Sequence, residues 1–167
     1  MRPKENDYAP FYSGYVKNVT GEIFNVLEDQ LYSTNTFLKS IPEDKSEFRY
    51  AEGKWSIKEL VGHLIDAERI FSYRALAISR GEDQHLPGWD EKVYTTNGNF
   101  NNRKLAELAE ELKLMRSANL LLFKNFNETM LIKRGIASDY EVTVLAILFI
   151  LAGHETHHIN ILKERYL

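Results

Sequence analysis

The chain contains no cysteine. That absence excludes disulfides, thiolate metal ligands and cysteine nucleophiles together, so any thiol chemistry must use a thiol from outside. Any metal must be held by histidine, carboxylate or neutral oxygen. A basic excess is missing too: 21 Lys and Arg face 24 Asp and Glu, a net charge of −3. This argues against a dedicated nucleic-acid binder, and no nucleic-acid partner is expected. The longest almost unbroken apolar run, Val142 to Gly153, is twelve residues. A membrane span needs about 20, so the run reads as a buried core helix and no membrane partner is expected. The N-terminus, from Met1 to Asp7, has no apolar segment of the secretory kind. A cytoplasmic protein is the expectation. Repeats and low-complexity segments are also absent.

What is present is a 167-residue chain, 44% hydrophobic and 27% charged, the size and balance of one globular domain spanning 1–167. Four segments carry helical periodicity. The first runs from Tyr15 to Lys39, with Val16, Val19, Ile23, Leu27, Leu31 and Leu38 in three- and four-residue steps, and Ile41-Pro42 stops it. The second begins at Ser56, where Ser56-Ile57-Lys58-Glu59 spells a capping box, and ends at Arg80-Gly81. Glu82 to Asn102 is a long connection, a length typical of functional loops or of loops with short helical turns. The third helix spans Arg103 to Phe126, and the fourth Glu141 to Lys163 after a loop at Gly135–Asp139. With no convincing alternating strand, the expected fold is all-α: an antiparallel or near-antiparallel four-helix bundle with a long connection between helices 2 and 3.

Histidine is the scarce reactive group, five in all, and three fall in Gly153-His154-Glu155-Thr156-His157-His158. Residues four apart on a helix sit about 40° apart around the axis and about 6 Å along it, so His154 and His158 can ligate one cation. The stretch also spells H-E-x-x-H, the zincin signature, with Glu155 in the general-base position. Only nine residues follow His158, and none is His or Asp. The third ligand is therefore sought upstream, at His63. Apolar neighbours surround it, and an unpaired imidazole is costly to bury there. Gly62 and Gly153 each precede a candidate ligand, and a glycine inside a helix points to close approach or to room for a ligand.

Three imidazoles leave coordination positions open for water or substrate, the pattern of a catalytic rather than a structural site. Zn²⁺ fits the ligand type best, and imidazole also accepts Ni²⁺, Fe²⁺, Co²⁺ and Mn²⁺. Asp66, Glu59 and Glu155 are candidates to orient an imidazole; Asp66 or Glu155 would be the base of a hydrolase. Trp89, Tyr94 and Arg74 are candidate substrate contacts; their plainer reading is core packing for the aromatics and a surface ion pair for Arg74. His85, in the long connection, reads as solvated.

The segments Lys54 to Arg69 and Ala152 to His158 resemble the two signature regions of the DinB-like superfamily of metal-dependent enzymes, which includes the YfiT-type bacillithiol transferases. Tyr73-Arg74-Ala75-Leu76 and Leu86-Pro87-Gly88-Trp89-Asp90 also resemble its members. The resemblance implies a four-helix bundle, usually a homodimer, with one divalent metal held by His63, His154 and His158. It implies a reaction in which the metal activates a low-molecular-weight thiol, as co-substrate, for attack on a small electrophile. A metal-dependent hydrolase and a non-catalytic metal-binding stress-response module are the alternatives.

Overall fold

The computed structural model describes residues 1–167. Its helices are α1 (Ser13–Asn18), α2 (Ile23–Ser40), α3 (Ile57–Arg80), α4 (Glu91–Asn97), α5 (Leu105–Phe123), α6 (Glu128–Leu131) and α7 (Val144–Ile161). A hairpin of β1 (Arg134–Ala137) and β2 (Tyr140–Thr143) precedes α7. The expected caps are in place. Ser56 accepts a hydrogen bond from the Glu59 amide while the Glu59 carboxylate accepts one from the Ser56 amide, and Gly81 closes α3 at φ 93°.

Two local readings are corrected. The first predicted helix is two: Val19 turns extended and Gly21 takes φ 100°, so α1 and α2 diverge. The apolar spacing runs on through the break, which is why periodicity alone does not reveal it. The fourth predicted helix begins too early, because Glu141 to Thr143 belong to β2. That hairpin turns through Ser138 and Asp139, both at positive φ as a two-residue type I′ connection requires. Its Ile136 and Ser138 backbones also bind Leu86, anchoring the long connection to the bundle. α4 supplies that connection with its helical turn.

The four long helices are α2, α3, α5 and α7. α5 lies between α2 and α3, and α7 closes the ring. Their buried apolar residues form two clusters. One gathers Ile23–Leu31 of α2, Ala67–Ile78 of α3, Leu120 and Phe123 of α5 and Val144–Ala152 of α7. The other gathers Leu38, Ile57–Ile65, Leu105–Leu112 and Ile159, with Leu162 and Tyr166 beyond α7. The N-terminal halves of α2 and α7 thus share one end with the C-terminal halves of α3 and α5. Two neighbouring pairs, α3 with α5 and α2 with α7, therefore run parallel, where antiparallel packing is expected throughout. Parallel neighbours cannot be joined by a tight turn, which gives the long α3–α5 connection a structural reason.

The helical segment Val144–Tyr166, α7 with the turn that continues it, is long and apolar enough to cross a membrane by composition, yet 72% of its most apolar window is buried within the protein. It is the core helix that its sequence predicts. The two in-helix glycines have close neighbours, as expected. A Cβ at Gly153 would meet the Tyr15 carbonyl oxygen at 2.2 Å, and one at Gly62 would meet the Phe100 ring at 2.3 Å. Gly153 thereby lets α1 lie directly on α7.

Candidate metal centre

Between the two apolar clusters, every long helix contributes buried polar residues: Gln30 and Thr34 from α2, His63 and Glu68 from α3, Arg116 from α5, His154 and Glu155 from α7. The histidines occupy one part of this waist. His154 Nε2 lies 2.9 Å from His63 Nε2 and 3.1 Å from His158 Nε2. The structure therefore brings together the three residues proposed as ligands, and their ligand atoms all lie within 4.8 Å of one another.

That convergence is unsatisfiable by hydrogen bonding alone. A neutral imidazole nitrogen has one lone pair or one proton, so His154 Nε2 can accept one proton or donate one, not serve both neighbours well. One cation placed among three Nε2 lone pairs satisfies all of them, which is the fit expected of a metal site. The Nδ1 atoms of His63 and His158 are buried with no protein partner.

Burial holds all three imidazoles in the neutral form that ligates metal. It pushes His63 down to about 4 and, with the neighbouring His63 and His157, His158 down to about 3. Burial together with the other three histidines holds His154 well below its ordinary value. A prediction about the metal-free protein follows. The unfolded imidazoles take protons below about 6.5, and the folded ones resist until far lower pH. Stability present above 6.5 is lost as pH falls toward 4. For His63 alone the loss is on the order of 3 kcal/mol. Thermal melting in EDTA between pH 7 and 4 should show the fall, and His63→Leu should make it shallower. A melting temperature equally steep in both proteins would contradict this.

Two aromatic rings enclose His63. Trp55 lies 4.8 Å away, and Trp89 stacks on the imidazole at 5.5 Å and 11° between planes. These are the chain's two tryptophans. Trp55 is held by its carbonyl, which accepts a hydrogen bond from Tyr166 Oη at 2.8 Å. Tyr94 packs edge-on against Trp89. Behind His158 opens a cavity of about 670 Å³, lined in part by Trp55, Leu60, Thr95 and Tyr166.

The carboxylates predicted to serve the triad do not reach it. Glu155 turns into the opposite part of the waist. There it accepts from Thr34 Oγ1 at 2.5 Å and from Arg116 Nη2 at 2.7 Å. One position around the helix from His154 is enough to aim it elsewhere. Asp66 is part-buried, with Arg69 4.0 Å away as its ion-pair partner, and it bonds to none of the imidazoles. Glu59 is occupied by its cap, Arg49 and Asn101. Arg74 is no surface ion pair: it is buried and donates to the Pro87 carbonyl and to Ser138 Oγ. His85 is exposed, as expected, and so is His157.

The sequence reading misses the charge network beside the triad. Arg116 donates to both Glu68 oxygens, at 3.0 and 2.8 Å, as well as to Glu155. Asn119 also donates to Glu68, and Gln30 ties α2 to the Ala152 carbonyl. A signal was available: Arg116 sits four residues from both Leu112 and Leu120, on the buried stripe of α5.

The chain matches the DinB superfamily over residues 27–162. No curated protein matches it. Among solved structures it is similar to YfiT from Bacillus subtilis, described as a probable metal-dependent hydrolase with an unusual four-helix bundle topology. The identity is 15%, over 98% of this chain and 90% of YfiT, with a TM-score of 0.74. It is also similar to YjoA, a DinB-like protein of Bacillus subtilis, at 23% identity, over 86% and 87% of the two chains, with a TM-score of 0.59. At these identities the likeness shows a shared fold. With the family match covering most of its length, the chain belongs to the DinB superfamily.

Proposed function

We propose that the chain is a metal-dependent enzyme in which His63, His154 and His158 hold one divalent cation, zinc by ligand type, and a low-molecular-weight thiol from outside attacks a small electrophile. The convergence of three neutral Nε2 atoms, with His158 at the wall of a cavity, carries this reading. When bound, the metal would lower the pKa of a thiol or water at its open positions. The protein's part is to hold three lone pairs toward one point, to keep them unprotonated by burial, and to flank the centre with Trp55 and Trp89.

The choice of nucleophile rests on Glu155. A zincin uses the Glu of H-E-x-x-H to deprotonate water. Here that carboxylate is committed to Arg116 and Thr34, and no carboxylate joins the imidazole group. A nucleophile acidic enough to ionise without a protein base suits such a site, and a thiol (about 8.5) is far more acidic than water. Hydrolysis is the second reading, supported by the description of YfiT as a probable metal-dependent hydrolase.

Both tryptophans touch His63, so Co²⁺ or Ni²⁺ titrated into the metal-free protein should quench their fluorescence saturably. The zinc-loaded protein is then given a small thiol with a haloaromatic electrophile, and separately an ester. Metal-dependent thiol consumption supports the transferase reading. Ester cleavage without thiol consumption replaces it with hydrolysis, and failure to bind metal removes both.

A further inference from the structure

The cavity behind His158 differs in charge from the rest of the chain. Its lining includes Arg49, Lys54 and Lys92 against a single carboxylate, Glu59. That is a surplus of two positive charges in a chain of net charge −3. Arg49 is spoken for, paired to both Glu59 oxygens at 2.5 and 2.9 Å. Lys54 and Lys92 have no ion-pair partner; Lys54 has only the face of Tyr50, 5.9 Å from its ammonium.

A second observation is independent of charge. The protein has three buried side-chain polar atoms without a hydrogen-bond partner: His63 Nδ1, His158 Nδ1 and Thr95 Oγ1. His158 and Thr95 both line this cavity, and Thr95 is only 3% exposed. A buried hydroxyl without a partner is destabilising, and native structures keep few of them. Two of the three belong to residues that line the cavity. The volume, about 670 Å³, suits a small metabolite rather than a chain segment.

We propose that this cavity takes a small carboxylate-bearing molecule, with its anionic group held by Lys54 and Lys92 and its other end directed at the histidine triad. The placement of that reacting end rests on the function proposed above; the preference for an anion does not. The lysines supply the recognition, and the two orphaned groups, Thr95 Oγ1 and His158 Nδ1, are the hydrogen-bond donors available deeper in. Uncharged molecules of the same shape are discriminated against, because they leave both ammonium groups unpaired.

Trp55 lines the cavity, so its fluorescence reports occupancy. Succinate, its uncharged analogue succinamide, and inorganic phosphate are titrated into zinc-loaded and metal-free protein. The same is done with the Lys54→Met, Lys92→Met double variant. Succinate should bind saturably and more tightly than either comparator, by about tenfold over succinamide, equivalent to about 1.4 kcal/mol. The double variant should lose that preference while binding zinc as the native chain does. The preference should persist in the metal-free protein. Failure to bind zinc would therefore remove the catalytic reading and leave this one standing. Equal binding of succinate and succinamide, no saturable response to succinate, or an unchanged preference in the double variant overturns the proposal. Tighter binding of phosphate overturns the commitment to a carboxylate.

Discussion

His154→Ala is expected to abolish metal binding while leaving the bundle folded. His154 is the middle member of the triad, the imidazole whose Nε2 lies within 3.1 Å of both others. Without it, His63 on α3 and His158 on α7 face each other across the vacated position. The loss should exceed the roughly 10–100-fold that follows removal of a mere supporting hydrogen bond to a ligand. Stability without metal should change little. The substitution opens space beside Tyr15 and Phe71, which destabilises, but it also removes a buried imidazole with competing contacts. The check is thermal melting with and without excess zinc. Metal at about a thousand times Kd stabilises the native chain by about 4 kcal/mol, and this increment should vanish in the variant. A variant that keeps the zinc-dependent rise would show that the metal, if any, is held elsewhere.

Arg116→Met should be the most destabilising of the single changes considered, by about 3–5 kcal/mol. Arg116 is 2% exposed, and it neutralises Glu68, which has no exposure at all, together with Glu155 at 4%. The site is already one negative charge in excess. Removing the guanidinium leaves two buried carboxylates with only Thr34 and Asn119 to answer them. Urea unfolding measures the loss. The variant should regain stability when Glu68→Leu and Glu155→Met are added, because a fully apolar replacement of a buried ion group is often neutral or stabilising. Failure of the single change to destabilise would mean that the network contributes nothing measurable.

Much of this molecule is legible in its sequence, for physical reasons that can be named. Ser56 with Glu59 and the Arg80-Gly81 stop mark α3 because caps are local chemistry, settled by neighbours in the chain. The convergence of His63, His154 and His158 is legible because histidines four apart share one helix face and a third one in an apolar stretch must find polar company. Glu155 shows where such reading ends. Its type and position match a general base, but the direction of its side chain depends on Arg116, 39 residues away. Arg116 itself hides because a charge on a helix is read as a solvated face, whereas here it completes a buried stripe. The parallel pairing of α3 with α5 is equally non-local, set by which apolar ends meet. The hairpin at 134–143 escapes because four-residue strands carry too few alternations to register as a pattern.

The charged waist bears on how the bundle keeps its helices at the right height. Oil alone is a poor ruler: an apolar stripe slid by one turn, about 5.4 Å, still meets apolar neighbours. Glu68, Arg116 and Glu155 cannot be slid that way, since each would leave its partners and enter one of the two clusters. They act as notches that index α3, α5 and α7 along their lengths. The three imidazoles share that indexing, because His63 lies five residues before Glu68 and His154 immediately before Glu155. The apolar triple replacement would therefore keep its helices and blur the point at which the nitrogens meet.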